Sequence, residues 1–193
     1  MTAKEQILTA IRANQPALKS LPDVTIPAED TNLQAQFTET LTIIGGKVIK
    51  VNGYADVLTY IKSVTDTSHR VNSTIPELAE VITSGDTLHL PHSLQDTELA
   101  IVKAHFGVAE NGAVWITEDM INQRVLPFIC QHLIVILNED DIVANMHQAY
   151  EKIGGQHYGY GTFIAGPSKT ADIEQSLVLG AHGSRSMTIF LIS

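Results

Sequence analysis

"YGTFIAGPSKTADIEQSLVLGAHGSRSMTIFLI", residues 160–192, decides the fold. It reads as a short strand in "YGTFIAG", a polar turn, an amphipathic helix, a second polar turn and a closing strand, "MTIFLI". Upstream, "HLIVIL" (132–137) is another continuous aliphatic run. Unbroken runs of this kind suit strands buried on both faces, as in parallel sheets, whereas half-exposed strands alternate. Strands alternating with helices over the second half predict an α/β fold, a largely parallel sheet with helices on both faces.

Working outward, Asn138 is expected to cap a helix whose first turn is Glu139, Asp140 and Asp141, carboxylates that the helix dipole favours. Asn111–Gly112 before "AVWIT" (113–117) signals a tight hairpin turn. "DTLHL" (86–90) and "AIVKAHFGVA" (100–109) read as strands, and so does "KVIKV" (47–51). A helix over "ADVLTYIKSV" (55–64) would turn Val57, Leu58, Ile61 and Val64 inward. Another, carrying Phe37, Leu41 and Ile44 on one face, would end at Gly45–Gly46. Thr2 and Glu5 have capping-box spacing ahead of Ile7, Leu8 and Ile11, which predicts an N-terminal helix. "SLPDVTIPAEDTN" (20–32), with two prolines, reads as a linker. Residues 1–30 are thus an N-terminal helix and linker, and 31–193 the α/β domain.

Composition narrows the function. The formal charge of −9 disfavours general nucleic-acid or anionic-membrane binding, which need clustered Lys and Arg. Cys130 is the single cysteine. It cannot hold an iron–sulfur cluster, which takes four ligands, and within "LPFICQHLIVIL" it reads as a small buried hydrophobe. No apolar run reaches the ~20 residues of a membrane span, and the N-terminus lacks a signal-peptide core. A soluble cytoplasmic protein is expected.

The stretch Gly166–Arg185 opens like a phosphate loop. A nucleotide-binding G-x-x-x-x-G-K-[ST] loop needs Lys directly after the second Gly, and here Pro167 and Ser168 intervene. Gly159 and Gly161 do not build a dinucleotide fingerprint either, because the third Gly is misplaced. What survives is a strand-to-helix turn. Thr170 stands as N-cap, Asp172 and Glu174 in the first turn, Ile173 and Leu177 on the apolar face with Val178 and Leu179, and Gly180 as terminator. Two readings stand. The free N–H groups of such a turn, with Ser168, Lys169 and Thr170, suit an anion; alternatively, Asp172 and Glu174 already satisfy the helix end. His182 and Arg185 either complement the helix C-terminus or reach into a crevice. His89 and His92 in "LHLPH" lack further zinc ligands nearby, and His105 reads as a partly buried, hydrogen-bonded side chain. Tyr158 and Tyr160 are expected beside the same crevice.

"GPSKTADIEQSLVLGAHGSR" resembles the GPS-[RK]-T-A-D-I-E…LGxHGPR signature of the lactate-utilisation (LUD) domain family, in its protein C group. "AENGAVWITE" (109–118) is similar to that family's upstream A-E-T-G-T motif, and the spacing of "RVLPFICQHLIVIL" (124–137) between them fits. Ser184 stands where the family usually has Pro, which would loosen the loop. Asn111 and Ala113 stand where it usually has Thr. The resemblance implies the fold shared by glucosamine-phosphate isomerase, ribose-phosphate isomerase and CoA transferases. It also implies a part in oxidising L-lactate to pyruvate, beside partner proteins that carry the iron–sulfur clusters. This chain itself is expected to hold no cofactor and no metal. On this reading Gly166, Ser168, Lys169 and Thr170 receive a small anionic ligand (an organic acid, a phosphorylated or a CoA-like compound). Asp172 and Glu174 orient it, and His182, Gly183 and Arg185 close one side. Two further readings come with it. One is a non-catalytic assembly subunit for the iron–sulfur partners. The other rests on the likeness of Glu110-Asn111-Gly112 to the S-E-N-G turn of class I CoA transferases, with Glu110 as nucleophile.

Overall fold

The computed structural model describes residues 2–20, 22, 26, 32–66, 68–83, 90–170 and 178–193. Five strands, β1 (Lys47–Val51), β2 (Val71–Ser73), β3 (Leu99–Lys103), β6 (His132–Asn138) and β9 (Ser186–Ile192), form one sheet in the order β1-β9-β6-β3-β2. Every pairing in it is parallel, the largely parallel α/β sheet that the apolar runs predict. The two longest runs occupy its middle, where side chains on both faces meet a core. In β6, Leu133, Val135 and Leu137 enter one core while Ile134 and Ile136 enter the other.

Helix α3 (Tyr54–Val64) and the 3-10 turn Pro76–Val81 cover the second of those faces, with Val57, Ile61 and Leu78 fully buried. Val64 departs from the inward stripe and stays half exposed. Helix α2 (Leu33–Ile43), capped by Asn32 and anchored by Phe37 and Leu41, covers the other face together with the short α4 (Leu126–Ile129). A second sheet packs there too: β4 (Phe106–Val108), β5 (Ala113–Thr117), β7 (Ile142–Val143) and β8 (Gly161–Ile164), in the order β7-β4-β5-β8. It is mixed, with β4–β7 parallel and β4–β5 and β5–β8 antiparallel. Val114 and Ile116 face the main core. Phe106, Val108 and Trp115 face outward against helix α5 (Met146–Ile153), which buries Ala149 and Ile153 on them. The β4–β5 hairpin turns where Asn111–Gly112 predicts, closed by Gly112 N–H to the Val108 carbonyl at 2.9 Å.

One expected helix is displaced. Asn138 ends β6 and its side chain accepts from Asp140 N–H at 2.9 Å, an Asx turn rather than a helix cap. The chain then pairs as β7, and the helix begins only at Asn145, whose side chain accepts from Gln148 N–H at 3.0 Å. Asn serves both motifs with the same side-chain oxygen, so local sequence does not separate them.

At the N-terminus, helix α1 (Ala3–Ala13) carries the expected reciprocal capping box of Thr2 and Glu5. None of its residues is buried, and Ile7, Leu8 and Ile11 face outward. Four residues of the expected strand "DTLHL", including His89, lie outside the described residues.

Candidate functional site

The end of β8 and the approach to β9 are laced together by main-chain bonds. Ser168 N–H donates to the Ser184 carbonyl at 2.9 Å and Gly180 N–H to the Ser168 carbonyl at 3.0 Å; Thr170 N–H donates to the Val178 carbonyl at 3.2 Å. Lys169 and Leu179 form an antiparallel bridge, and the Thr170 hydroxyl accepts from Val178 N–H at 3.3 Å. The expected helix lies over 171–177, outside the described residues, but its expected last turn is corrected. Val178 and Leu179 run beside Thr170 and Lys169 as a ribbon, and Gly180 turns with φ +79°.

Two glycines fit this loop for reasons of space. Gly166 adopts φ +71°, and a Cβ there would stand 3.1 Å from the Ile44 carbonyl at the end of α2. A Cβ on Gly183 would meet that of Ser168 at 3.0 Å. The close approach lets the two halves of the motif touch. Ser184, where the family usually has Pro, is buried at 4% exposure, and its carbonyl accepts from Ser168 N–H.

Together these segments wall a shallow cavity of about 290 Å³. Gly166, Ser168, Lys169, His182 and Gly183 all line it, which brings five of the sequence-predicted residues to one place. Thr170 and Arg185 are not among its lining; Arg185 is exposed, its main-chain N–H held by the Gln131 carbonyl at 2.8 Å. Asp172 and Glu174 lie outside the described residues. The remaining wall comes from Pro127 and Phe128 of α4 and from Phe163 and Ile164 of β8. Sequence reasoning missed these, because apolar side chains carry no chemical signature, and Pro127 and Phe128 stand about 40 positions upstream of the motif.

The arrangement also changes which groups can meet a ligand. The Ser168 and Thr170 N–H groups are engaged within the loop, so they are not the open anion cradle expected of a strand-to-helix turn. Ser168, Lys169, His182 and Ser184 bring side-chain donors to the cavity lining. Among the described lining residues there is no carboxylate, and Lys169 brings a positive charge.

A model of the LUD domain matches residues 69–192, a span that includes every residue of this cavity. The chain belongs to the LUD domain family. A "Lactate utilization protein C" from Oceanobacillus iheyensis is 30% identical over 104 residues, covering 51% of this chain and 45% of that one. Its counterpart from Shouchella clausii is 36% identical over 100 residues, covering 47% and 43%. This LUD chain thus spans less than half the length of the curated relatives it matches. A crystal structure of a DUF162 family protein from Deinococcus radiodurans superposes with a TM-score of 0.63 at 18% identity, covering 86% of this chain and 100% of that one. That likeness bears on the fold alone.

Elsewhere in the LUD domain, Glu110 sits in the hairpin turn. Its Oε2 accepts from Met146 N–H at 2.9 Å, and its own N–H donates to the Ala144 carbonyl at 3.0 Å. The carboxylate therefore caps α5, where the helix dipole favours negative charge. Gly166 and Glu110 each lie two residues past the end of a strand, β8 and β4, at the same end of the second sheet with β5 between those strands.

Tyr158 and Tyr160 are not at the cavity. Tyr158 packs edge-on to Trp115 at 5.5 Å, and Tyr160 lies under the Arg124 guanidinium at 5.4 Å. His105 is partly buried and bonded to the Thr117 hydroxyl, as expected. Cys130 is buried, and burial pushes its thiol up to about 12. Lys103, at the carboxyl end of β3, is held over the Tyr54 ring and near Glu77. Its pKa is raised, first by the Tyr54 contact. Among the described residues no group of three or more His, Cys, Asp or Glu is placed to hold a metal ion. No described helix is long and apolar enough to cross a membrane.

Proposed function

We propose that this LUD protein serves a lactate-utilisation system as a subunit that binds a small anionic ligand, an organic acid or a phosphorylated or CoA-like compound. Lys169, His182 and the Ser168 hydroxyl provide the contacts. The observation that carries this reading is the meeting of Gly166–Lys169 with His182–Ser184 around a cavity with a lysine and no described carboxylate. Lys169 supplies the charge, His182 a titratable donor at the rim, and Phe128 and Phe163 an apolar floor for a short carbon chain. Thr170 and Arg185 hold the loop from outside the cavity lining, and Asp172 and Glu174 are assigned the orienting of the ligand. The L-lactate chemistry belongs to iron–sulfur partner proteins, since the single Cys130 cannot ligate a cluster. The place of work is the cytoplasm.

Thermal-shift measurements with lactate, pyruvate, a sugar phosphate and an acyl-CoA test this, because a ligand that binds the native state raises Tm. A shift that disappears in Lys169→Ala supports the cavity; a shift unchanged by Lys169→Ala with His182→Ala removes it.

A second reading is an assembly subunit that docks the iron–sulfur partners. Apolar side chains around the same loop favour it: Phe128 is 39% exposed, Val178 49% and Leu179 48%. Val178→Ser with Leu179→Ser would then abolish co-purification with the partners while leaving ligand-induced shifts intact. The CoA-transferase reading assigns the nucleophile to Glu110, and it requires that carboxylate to leave its bond with Met146 before attacking an acyl carbon.

A further inference from the structure

On the α3 side of the parallel sheet, three adjacent strands begin at one level. Leu99 of β3 pairs with His132 of β6, and His132 with Ser186 of β9. Glu98 stands one residue before Leu99, and its carbonyl accepts from His132 N–H at 2.8 Å. Strands ~4.8 Å apart thereby set three side chains in a row. His132 Nδ1 lies 2.7 Å from Ser186 Oγ, and His132 Nε2 lies 3.6 Å from Glu98 Oε1. The row lines a cavity of about 310 Å³, walled also by Tyr60, Val64, Leu133 and Ile134. It shares no residue with the cavity around Gly166. His132 and Glu98 keep 43% and 36% of their side-chain surface open, so the row is reachable from solvent.

A hydroxyl within hydrogen-bond reach of an imidazole, whose second nitrogen faces a carboxylate, is the arrangement that activates a nucleophile. We propose that Ser186 is a nucleophile toward small esters with an apolar acyl group, with His132 as its general base and Glu98 as a positioning residue. With the imidazole protonated at Nε2 toward Glu98, Nδ1 is free to accept the Ser186 proton. Oγ then bonds to the acyl carbon, the ester C–O bond breaks, and His132 returns the proton to the departing alcohol. Water attacks the acyl-serine in the second half, giving its proton through His132 and releasing the carboxylic acid and the serine hydroxyl. Val64, Leu99 and Ile134 receive the acyl chain. The titratable groups facing His132 are Glu98 beside it and, across the cavity, His69 and Tyr60. His69 Nδ1 accepts from Asp66 N–H at 3.2 Å, which leaves its Nε2 as a donor toward the cavity.

The test is labelling of the full chain with a fluorophosphonate probe, followed by peptide mass spectrometry, alongside hydrolysis of p-nitrophenyl acetate and butyrate. The expected result is an adduct on Ser186 whose rate rises with pH. Ser186→Ala removes the adduct, and His132→Gln lowers its rate by about 10²-fold or more, the scale of a lost general base, and flattens the pH profile. Glu98→Gln lowers the labelling rate across that profile with Ser186 still the labelled residue, and Glu98→Asp restores part of it, because the imidazole loses the carboxylate that faces its Nε2. Circular dichroism confirms that each variant is folded; if His132→Gln is not, the wild-type adduct and the Glu98→Gln profile decide. No adduct on Ser186 in the folded wild type, or labelling indifferent to His132 and to pH, would overturn the proposal and leave the row as a lock on the strand starts.

Discussion

Ser168 and Ser184 are joined by a single main-chain bond of 2.9 Å, and that bond closes the loop that defines the cavity. Its partner strands supply the rest. β8 delivers Ser168 from the second sheet, and β9 draws Ser184 toward the first. The cavity is thus a seam between two sheets, backed by Ile44 and Gly45 at the end of α2.

Gly166→Ala tests the seam. The φ of +71° and the 3.1 Å approach to the Ile44 carbonyl leave a side chain neither conformation nor room. A loss of about 1–2 kcal/mol is expected from such a position, read as a lower urea midpoint at unchanged slope. Ligand-induced stabilisation should weaken in parallel, because Ser168 and Lys169 would shift with the loop.

Glu110→Ala should cost about 1 kcal/mol through loss of the cap on α5, measurable by urea titration. Glu110→Gln retains an acceptor and should cost less. Treatment with acyl-CoA followed by borohydride separates this structural role from chemistry: a Glu110 side chain reduced to the alcohol, the product of a glutamyl thioester, would bring the transferase reading forward, and its absence with intact folding would end it.

Cys130 should resist thiol reagents. Burial raises its pKa to about 12, so almost no thiolate is present near neutrality. A disulfide-exchange reagent added to native protein should titrate no thiol, and one thiol after unfolding in guanidinium. Rapid native labelling would contradict the packing of α4 against β3.

Acid should destabilise the protein over a defined range. The Arg70 guanidinium holds Asp96 below its ordinary 3.8, and the Thr117 hydroxyl does the same for Asp119. Arg124, with Gly159 N–H, holds Glu118 below 4.5. A carboxylate whose pKa is depressed by folding stabilises above its unfolded value, and that contribution is lost as pH falls through the folded one. Tm should therefore be flat above about pH 5 and fall below about pH 4. Asp96→Asn should flatten part of that fall, modestly and less at high salt, because the pair is exposed.

Much of this was legible because continuous apolar runs have few structural solutions. "HLIVIL" has no polar face, so its strand had to lie between two cores, and β6 does. The Asn111–Gly112 turn and the Thr2–Glu5 box are local chemistry, and both appear where their residues stand. The second sheet was not legible. β5 and β8 are separated by over 40 residues, and nothing in "AVWIT" or "GTFI" states which partner each takes, or in which direction. "NEDDIV" misled because an Asx turn and an N-cap use the same Asn oxygen. At the site, Lys169 and His182 were marked by their chemistry, whereas Pro127 and Phe128 of the facing wall had only their hydrophobicity to show.

The central claim is that the Lys169–His182 cavity receives a small anion. Isothermal titration of lactate, pyruvate, a sugar phosphate and an acyl-CoA into the full chain tests it most directly. The account predicts saturable binding of at least one of these at millimolar concentration or better, weakened tenfold or more by Lys169→Ala in a folded variant. Absence of heat for all four, with and without the iron–sulfur partners, or binding untouched by Lys169→Ala, would contradict it.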